Sequence, residues 1–338
     1  MKQHSLRLCF LLALAAVLAA LPACIRPNLV IEVTENIDSP TTWRSGRIYI
    51  IKTFDFWVNA TLEIEPGAIV KFDPQSGPGM SVNGAVLARG TADEPVIFTS
   101  SRDDARGGDS NRDGLATAPA PGDWGKILVQ TGGSEFLHCR FFYGTTVEAS
   151  YGKAAFQQCT FADNKELALD LSYAEAETVV SGNVFYRNDR PLAVNGVIDI
   201  DASNSFANPL DPGETNTRNG IWLANAVETS ISLSETEVAF VIDDVDFRVN
   251  ENITLTLADS VVIKFTDSSG LVIDYGGDIQ NYGGSSVWFT SYKDDTRKGD
   301  TNGDGASSSP ADGDWDGIYS NDAGDYAGWS NIVYANNP

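Results

Sequence analysis

Short runs of apolar residues, many of them alternating with polar ones, are separated along most of the chain by Gly, Asn, Asp and Pro. This pattern is typical of short β-strands joined by tight turns, and no amphipathic helix of useful length interrupts it after residue 23. The nearest approach to a helix is the segment 163–173, which we interpret as a turn followed by a strand. The clearest predicted strands are residues 48–51, 61–65, 68–72, 85–88, 95–99 and 127–130.

A short repeat runs through the middle of the chain. Four segments share a small polar residue followed two positions later by Phe, and they begin at Cys139, Cys159, Asn183 and Asn204, with Asn331 as a weaker echo. A period of twenty-odd residues indicates a solenoid. Because side chains alternate along a strand, the Phe residues are expected to point inward and to stack from coil to coil, with the Cys and Asn residues forming a ladder beside them.

A longer repeat joins the two halves of the chain. Residues 98–127 align with residues 289–318 at a constant offset of 191, and more than half of the aligned positions are identical. Upstream, residues 69–72 align with residues 262–265 after a two-residue insertion. We therefore expect two related units, residues 46–228 and an incomplete second copy at residues 229–338.

The body of the chain from about residue 46 resembles the bacterial right-handed parallel β-helix repeat proteins of the pectin-lyase-like superfamily, in particular exported lipoproteins among them. The motifs that carry the resemblance are Leu-x-Ile-Glu-Pro-Gly, Val-Lys-Phe, Pro-Val-x-Phe-Thr-Ser and Gly-Asp-Trp-Gly, at residues 62–67, 70–72, 95–100 and 122–125. The resemblance implies an all-β, right-handed parallel β-helix with two long loop insertions. The second unit departs from it at residues 256–259, which replace the Glu-Pro-Gly turn, and at Asp316.

The middle of each long loop has the oxygen spacing of a calcium-binding loop, Asp-x-Asn-x-Asp-Gly. An EF-hand is excluded because Ala120 and Ala311 stand where its bidentate Glu would be. The alternative is a solvated acidic loop with ordinary Asn/Asp/Gly turns. A bound Ca²⁺ would serve to hold the loop in place. The predicted ligands are Asp103, Asp104, Asp109, Asn111, Asp113 and Asp123 in the first loop, and Asp294, Asp295, Asp300, Asn302, Asp304 and Asp314 in the second.

The N-terminus has the composition of a secretory signal peptide. Lys2 and Arg7 precede an apolar run that ends at Pro22, and we assign residues 1–23 to the signal. The run is too short for a typical transmembrane helix. Residues 21–24, Leu-Pro-Ala-Cys, resemble a bacterial lipobox, which predicts a lipid on Cys24 and an exported, cell-envelope location; cleavage by an ordinary signal peptidase is the alternative. Residues 24–45 are predicted to be the anchor and tether.

The charge of the chain limits its partners. The full sequence has 23 basic and 46 acidic residues, and loss of the signal leaves a net charge near −25. Such a charge repels nucleic acid and anionic lipid headgroups and favours divalent cations. We therefore predict no nucleic-acid partner, membrane contact only through the lipid, and a monomer. Beyond Cys24 only Cys139 and Cys159 remain, which is too few for a disulfide scaffold.

The hypothesis of an enzymatic function follows from the resemblance, because active members of the superfamily are mostly polysaccharide lyases and glycoside hydrolases. A lyase needs an Arg or Lys base, for which Arg106 and Arg297 are the nearest candidates. A hydrolase needs two carboxylates about 5–10 Å apart, a condition that 46 acidic residues meet by chance. His138 is the one histidine outside the signal, which disfavours a Ser-His-Asp site.

The favoured hypothesis is a non-enzymatic binding or structural module for a polysaccharide or a surface protein, stabilised by calcium. The alternatives are a polysaccharide lyase or glycoside hydrolase, and a fragment of a longer adhesin. Trp124 and Trp315, directly before predicted strands, belong either to a sugar-stacking platform or, as we favour, to the core.

Overall fold

The chain folds into a parallel β-solenoid of about 12 turns, which confirms the predicted all-β fold. The computed structural model describes residues 29–243 and 247–337. Helical structure in these residues is a single 3-10 turn, Pro74–Ser76, whose first turn is capped by the Asp73 carboxylate. Within the described residues no helix has the length and apolar character needed to cross a membrane.

The strands are short, as the sequence pattern predicts. Before the first long loop they are β1 (Leu29–Val33), β2 (Thr41–Trp43), β3 (Arg47–Ile51), β4 (Asp55–Val58), β5 (Thr61–Ile64), β6 (Ile69–Phe72), β7 (Gly79–Val82), β8 (Ala85–Arg89) and β9 (Val96–Ser100). Between the loops they are β10 (Trp124–Val129), β11 (Ser134–Leu137), β12 (Cys139–Phe142), β13 (Gly144–Ser150), β14 (Ala154–Gln157), β15 (Thr160–Ala162), β16 (Leu167–Tyr173), β17 (Val179–Ser181), β18 (Val184–Tyr186), β19 (Arg190–Gly196), β20 (Ala207–Asn208), β21 (Asp211–Thr215), β22 (Gly220–Val227), β23 (Ile231–Leu233), β24 (Ala239–Ile242), β25 (Phe247–Val249), β26 (Thr254–Leu257), β27 (Val262–Phe265), β28 (Leu271–Ile273), β29 (Asp278–Gln280) and β30 (Trp288–Ser291). After the second loop come β31 (Trp315–Ser320), β32 (Asp325–Tyr326) and β33 (Ala335–Asn337).

Successive turns of the chain add strands to three large sheets, and β23, β26 and β29 form a smaller parallel sheet in the second unit. The first sheet has the order β1-β3-β6-β9-β12-β15-β18, and the third has the order β2-β5-β8-β11-β14-β17. The second sheet runs from β4 through β7, β10, β13, β16, β19 and β22 to β31 and β32. The long strand β22 also pairs with β24, so that β24, β27 and β30 join this sheet. In the second unit these three strands are the counterpart of the first sheet. The described strand pairs are parallel apart from two short hairpins, β20–β21 and β31–β32.

A column of stacked phenylalanine rings fills the interior. Phe98, Phe141, Phe161, Phe185 and Phe206 lie one above another with successive ring-centroid distances of 4.9, 4.7, 5.0 and 5.5 Å. All five side chains are completely buried. Each buried Phe contributes about 1.5–3 kcal/mol through loss of apolar surface to water, and stacked pairs add about 0.5–1.5 kcal/mol. The predicted inward stacking is confirmed.

The predicted ladder of Cys and Asn side chains is also present. The backbone N–H of Cys159 donates to Asn183 Oδ1 at 2.9 Å, and that of Asn183 donates to Asn204 Oδ1 at 3.0 Å. Cys139 and Cys159 are buried free thiols, and their Sγ atoms lie 3.3 and 3.2 Å from backbone carbonyl oxygens. Each side chain thus satisfies a polar backbone group at a bend, where strand pairing leaves it without a partner.

A second asparagine ladder was missed from the sequence. The backbone N–H of Asn164 donates to Asn188 Oδ1 at 3.0 Å, and that of Asn188 donates to Asn216 Oδ1 at 3.2 Å. Asn164 and Asn188 stand three residues after Phe161 and Phe185, whereas Asn216 stands ten residues after Phe206, because the turns differ in length. The irregular spacing hides the ladder from a search for a fixed period.

The predicted tether, residues 24–45, is wrong for the part that the structure describes. Strand β1 pairs with β3 along its whole length, and β2 pairs with β5. The Trp43 ring is buried and stacks on Tyr49 at 4.6 Å. The solenoid therefore includes residues 29–43, because these strands alternate apolar and polar side chains like the later ones. The predicted signal peptide and Cys24 lie outside the described residues.

Candidate metal centre

The two long loops lie on the outside of the solenoid, over apolar side chains that face outward from the sheet. The first loop, residues 101–123, covers Ile48, Ile50 and Ile69, which are almost completely buried. The approach is close: a Cβ atom at Gly107 would lie 2.8 Å from Ile48 Cδ1, and the glycine has φ of 85°. The second loop, residues 292–314, lies over the equivalent apolar patch, which includes Val241. Outward apolar residues thus determine where each loop docks.

Three aspartates converge in each loop. One carboxylate oxygen from each of Asp104, Asp109 and Asp113 lies within 4.8 Å of the others. The second loop has the same arrangement, formed by Asp295, Asp300 and Asp304. We refer to these two groups as the first and second Asp triads. No other group of metal-ligating side chains of this kind occurs among residues 29–243 and 247–337.

The Asp-x-Asn-x-Asp-Gly motif builds each triad by closing a tight turn on its first aspartate. In the first loop the Asp109 carboxylate accepts hydrogen bonds from the backbone N–H groups of Asp113 at 3.1 Å and Gly114 at 3.0 Å. Asp300 accepts the corresponding bonds from Asp304 and Gly305. The turn brings the second aspartate of the motif back toward the first.

Carboxylate oxygens in the triads are left without partners. Asp104 Oδ1 and Asp113 Oδ1 are buried and have no hydrogen-bond partner in the described structure, and the same holds for Asp295 Oδ1 and Asp304 Oδ1. Burial, followed by the neighbouring Asp109 carboxylate, raises the pKa of Asp104. Buried, unpaired anionic oxygens are costly unless a cation neutralises them. The donor set consists of oxygen atoms alone, which fits a hard cation such as Ca²⁺, the ion that the sequence motif suggests.

The remaining predicted ligands have other partners. Asp103 Oδ2 accepts from Thr99 Oγ1 and from Arg106, both at 2.7 Å, and Asp123 accepts from Ser100 Oγ and Arg102 at 2.6 and 2.9 Å. Asp294 and Asp314 repeat these roles in the second loop. The side-chain amides of Asn111 and Asn302 donate to the second aspartate of their motif at 2.9 and 3.0 Å. The structure therefore brings three of the six predicted ligands of each loop together and uses the outer two as clamps at the loop ends.

The arginines considered as lyase bases belong to these clamps. Arg106 pairs with Asp103 and lies 3.5 Å above the ring of Phe142. Arg297 stands at the same loop position, pairs with Asp294 and lies 3.9 Å from the ring centroid of Trp288. An ion-paired guanidinium held against an aromatic ring is a poor proton acceptor. Both arginines serve to hold the base of the loop.

Two buried lysines beneath the loops were missed as site residues. Lys71 Nζ donates to the carbonyl oxygens of Asp103 and Gly108 at 2.8 and 3.1 Å. Lys264 Nζ donates to Gly299 O and Thr301 Oγ1, both at 2.8 Å. Burial lowers the pKa of both lysines, that of Lys264 to about 8. The signal in the sequence is a lysine in the same position of an otherwise apolar strand in both units.

The two loop tryptophans are core residues, as favoured from the sequence. Trp124 is 1% exposed, stacks on Phe72 at 4.5 Å and donates its indole N–H to Phe142 O. Trp315 is fully buried, stacks on Phe265 at 4.0 Å and donates to Val333 O. Neither ring is accessible as a sugar-stacking platform.

A cleft of about 440 Å³ opens beside the first loop. Its charged lining residues are three cations, Lys52, Arg102 and Arg112, and three acids, Glu32, Asp73 and Asp113, the last of which belongs to the first Asp triad. The groups whose carboxyl pKa is raised, Asp104, Asp295 and Glu235, do not line it.

Comparisons with known proteins place no constraint on the site. The chain matches no family model, and no curated protein or solved structure is significantly similar to it.

Proposed function

We propose that this protein is a calcium-stabilised β-solenoid binding module of the bacterial cell envelope, with a polysaccharide or a surface protein as its partner. The observation that carries the proposal is the pair of Asp triads, each with buried carboxylate oxygens that lack a partner. The triads hold loops against the outer face of a rigid rod, and a solenoid of stacked turns offers an extended surface for binding. Membership of the pectin-lyase-like superfamily is part of the proposal and rests on the sequence motifs.

Calcium is the expected cation because the triads offer carboxylate oxygens and no nitrogen or sulfur. Three carboxylates supply part of the six to eight oxygens that Ca²⁺ prefers, and water and backbone carbonyl groups supply the remainder. Binding to the folded state alone stabilises it by about 2.7 kcal/mol when the free ion exceeds its dissociation constant 100-fold. The metal thus acts on loop stability, with no role assigned to it in a reaction.

The test is calcium titration of the parent and of three triad variants. Asp109→Asn and Asp300→Asn each remove one charge from one triad, and the double variant changes both. We expect calorimetric titration to give two bound Ca²⁺ ions for the parent, one for each single variant and none for the double variant. The melting temperature should rise with calcium in the same order. Asp312→Asn is the matched control, because Asp312 is an exposed residue of the second loop outside the triad.

Equal melting of the parent and the double variant in saturating calcium would contradict the metal part of the proposal. Retention of two bound ions in the double variant would contradict the assignment of the triads. Neither result bears on the solenoid fold. Far-ultraviolet circular dichroism of each variant measures the strands independently.

Attachment to the membrane is proposed through a lipid on Cys24. In a bacterial host, incorporation of labelled fatty acid into the parent and its loss in Cys24→Ala would support it. A mature protein that carries no label and begins at residue 24 would show cleavage by an ordinary signal peptidase instead.

A polysaccharide lyase or glycoside hydrolase is the second candidate, favoured by the charged lining of the cleft. A glycan array with and without calcium, paired with assays for reducing ends and unsaturated uronates on the same polysaccharides, separates the two. Binding without new chain ends supports the module, whereas new chain ends support the enzyme. A chain that binds no glycan in either condition would remove the polysaccharide as a partner.

A further inference from the structure

We propose that the cleft beside the first loop binds a sugar carrying an oxyanion, a carboxylate or a sulfate, and that Arg112 contacts the anionic group. The inference rests on the proposed binding function and gives it a place and a ligand class. At about 440 Å³ the cleft has the size of a small-ligand site, about 300–1,000 Å³.

The second unit provides an internal comparison, because strand register identifies equivalent positions. Glu32 pairs with Ile50 in the first unit, and Trp222 pairs with Val241, the counterpart of Ile50, in the second. Glu32 thus corresponds to Trp222, and the constant offset makes Ser101 correspond to Tyr292.

The two positions are filled very differently. The Glu32 side chain is 60% exposed, whereas Trp222 is 7% exposed. Tyr292 packs edge-on against Trp222 with ring centroids 6.5 Å apart. Two aromatic rings therefore occupy in the second unit the positions whose small and polar counterparts line the cleft in the first.

Ser110 gives an independent indication of a ligand. Its side chain is 7% exposed and lines the cleft, and its Oγ has no hydrogen-bond partner. The counterpart in the second unit, Thr301, accepts a hydrogen bond from Lys264 Nζ at 2.8 Å. A buried hydroxyl without a partner is costly. It is therefore available to a ligand hydroxyl or oxyanion in the first unit.

The charges of the cleft point to an anion. Lys52 and Arg112 correspond to Asp243 and Gly303 in the second unit, whereas the acidic lining residues Glu32 and Asp73 correspond to Trp222 and Thr266. Over these four positions (+2, +1, −1 and −1) the first unit is more positive by one charge. Lys52 pairs with Glu32 at 2.8 Å and Arg102 pairs with Asp123 at 2.9 Å.

Arg112 is the cation left for a ligand. It makes no ion pair within 4.0 Å in the described part of the chain. It also keeps a left-handed backbone, with φ of 63°, where its counterpart is glycine. Guanidinium binds carboxylate and sulfate groups through paired hydrogen bonds.

The polar lining favours a sugar over an apolar molecule. Ser101, Gln75, Asn111 and Thr117 place hydroxyl and amide groups around the cleft, and no aromatic ring is among its lining residues. Recognition would therefore use hydrogen bonds and charge, without the stacking that neutral sugars usually require.

The test is calorimetric binding of four probes in saturating calcium: a trisaccharide of a uronic acid, its methyl ester, a sulfated neutral trisaccharide and inorganic sulfate. The ester removes the charge and keeps the hydroxyl groups, and the two anionic sugars distinguish carboxylate from sulfate. We expect the parent to bind one or both anionic trisaccharides at least tenfold more tightly than the ester and than sulfate alone.

Variants locate the site. Arg112→Gly introduces the residue of the second unit and should weaken binding of the anionic trisaccharide about ten- to a hundredfold. Arg112→Lys should restore part of the affinity. The double change Glu32→Trp with Ser101→Tyr fills the cleft and should abolish binding. Arg140→Ala, which removes an exposed arginine outside the cleft, is the control and should bind as the parent does. Calcium-dependent melting shows that each variant is folded.

Unchanged affinity in Arg112→Gly and in the cleft-filling variant would overturn the cleft assignment, while glycan binding elsewhere would leave the proposed function standing. A parent that binds the ester as tightly as it binds both anionic trisaccharides would overturn the ligand class. If the parent binds none of the four probes, the inference is overturned. If it also binds nothing on the glycan array, the polysaccharide function is removed.

Discussion

The two loops of this protein share their inner parts and differ on their outer faces. In both, an Asp triad, a buried lysine and a buried tryptophan occupy equivalent positions with nearly the same contacts. Over the outer face, the second loop packs its Tyr292 against Trp222, whereas the first leaves a cleft. The shared parts are those that each loop needs in order to dock on the solenoid. The part that differs is where a function specific to the first loop is expected.

The largest effect is expected at the tryptophans, because both are completely buried. Trp124→Ala and Trp315→Ala should each lower the free energy of unfolding by about 3–5 kcal/mol, through loss of apolar burial and a cavity. Urea denaturation followed by circular dichroism measures the change. Trp57→Ala, at a half-buried position, is the control and should cost less. A loss below about 1 kcal/mol at either loop tryptophan would show that its ring is not part of the core.

The lysines come next. Lys71→Met and Lys264→Met should each cost about 2–4 kcal/mol, because two acceptors in the loop, one of them buried, lose their donor. The exposed Lys126, changed to Met, is the control. A cost as small as that of the control would mean that the loops do not depend on these lysines.

Lys264 should also make stability depend on pH. Its folded pKa of about 8 lies below the ordinary value of 10.5, so the neutral form favours folding. This contribution is full above pH 10.5 and is lost as the pH falls through about 8. In calcium-free buffer the parent should therefore gain stability relative to Lys264→Met between pH 7 and 10.5. A difference between the two proteins that is independent of pH would contradict the lowered pKa.

Replacing Arg112 by the glycine that stands at its position in the second loop should have the smallest effect on stability. Arg112→Gly should change stability by less than about 1 kcal/mol, because relief of the left-handed backbone is offset by the greater freedom of glycine in the unfolded chain. The reverse change, Gly303→Arg, should cost about 1–3 kcal/mol, because a Cβ there would lie 2.7 Å from Thr217 O. Equal costs in both directions, measured by urea denaturation, would show that the outer faces of the loops are interchangeable.

The solenoid was predictable because its signals are local and repeated. The inward Phe of each turn and the small polar residue beside it recur every twenty-odd residues, and alternation assigns each to a face. The first strand was lost from the prediction because Leu29–Val33 precedes the recognisable repeat. In the candidate site, the motif predicted Asp109 and Asp113 as neighbours. It did not separate Asp104 from Asp103, although these consecutive side chains point to different partners.

Local pattern and repetition by themselves determined that this chain winds into stacked parallel strands and carries the same acidic loop twice. Both properties depend on residues close in sequence or on direct identity between segments. The tertiary structure alone decided which carboxylates converge, which lysines lie beneath them, and that a cleft opens beside the first loop. These features arise where a loop meets turns from distant parts of the chain, as Ser101 meets the turn of Glu32 and Tyr292 meets Trp222. Packing between such distant residues depends on register and side-chain volume, which a reading of one segment at a time does not contain.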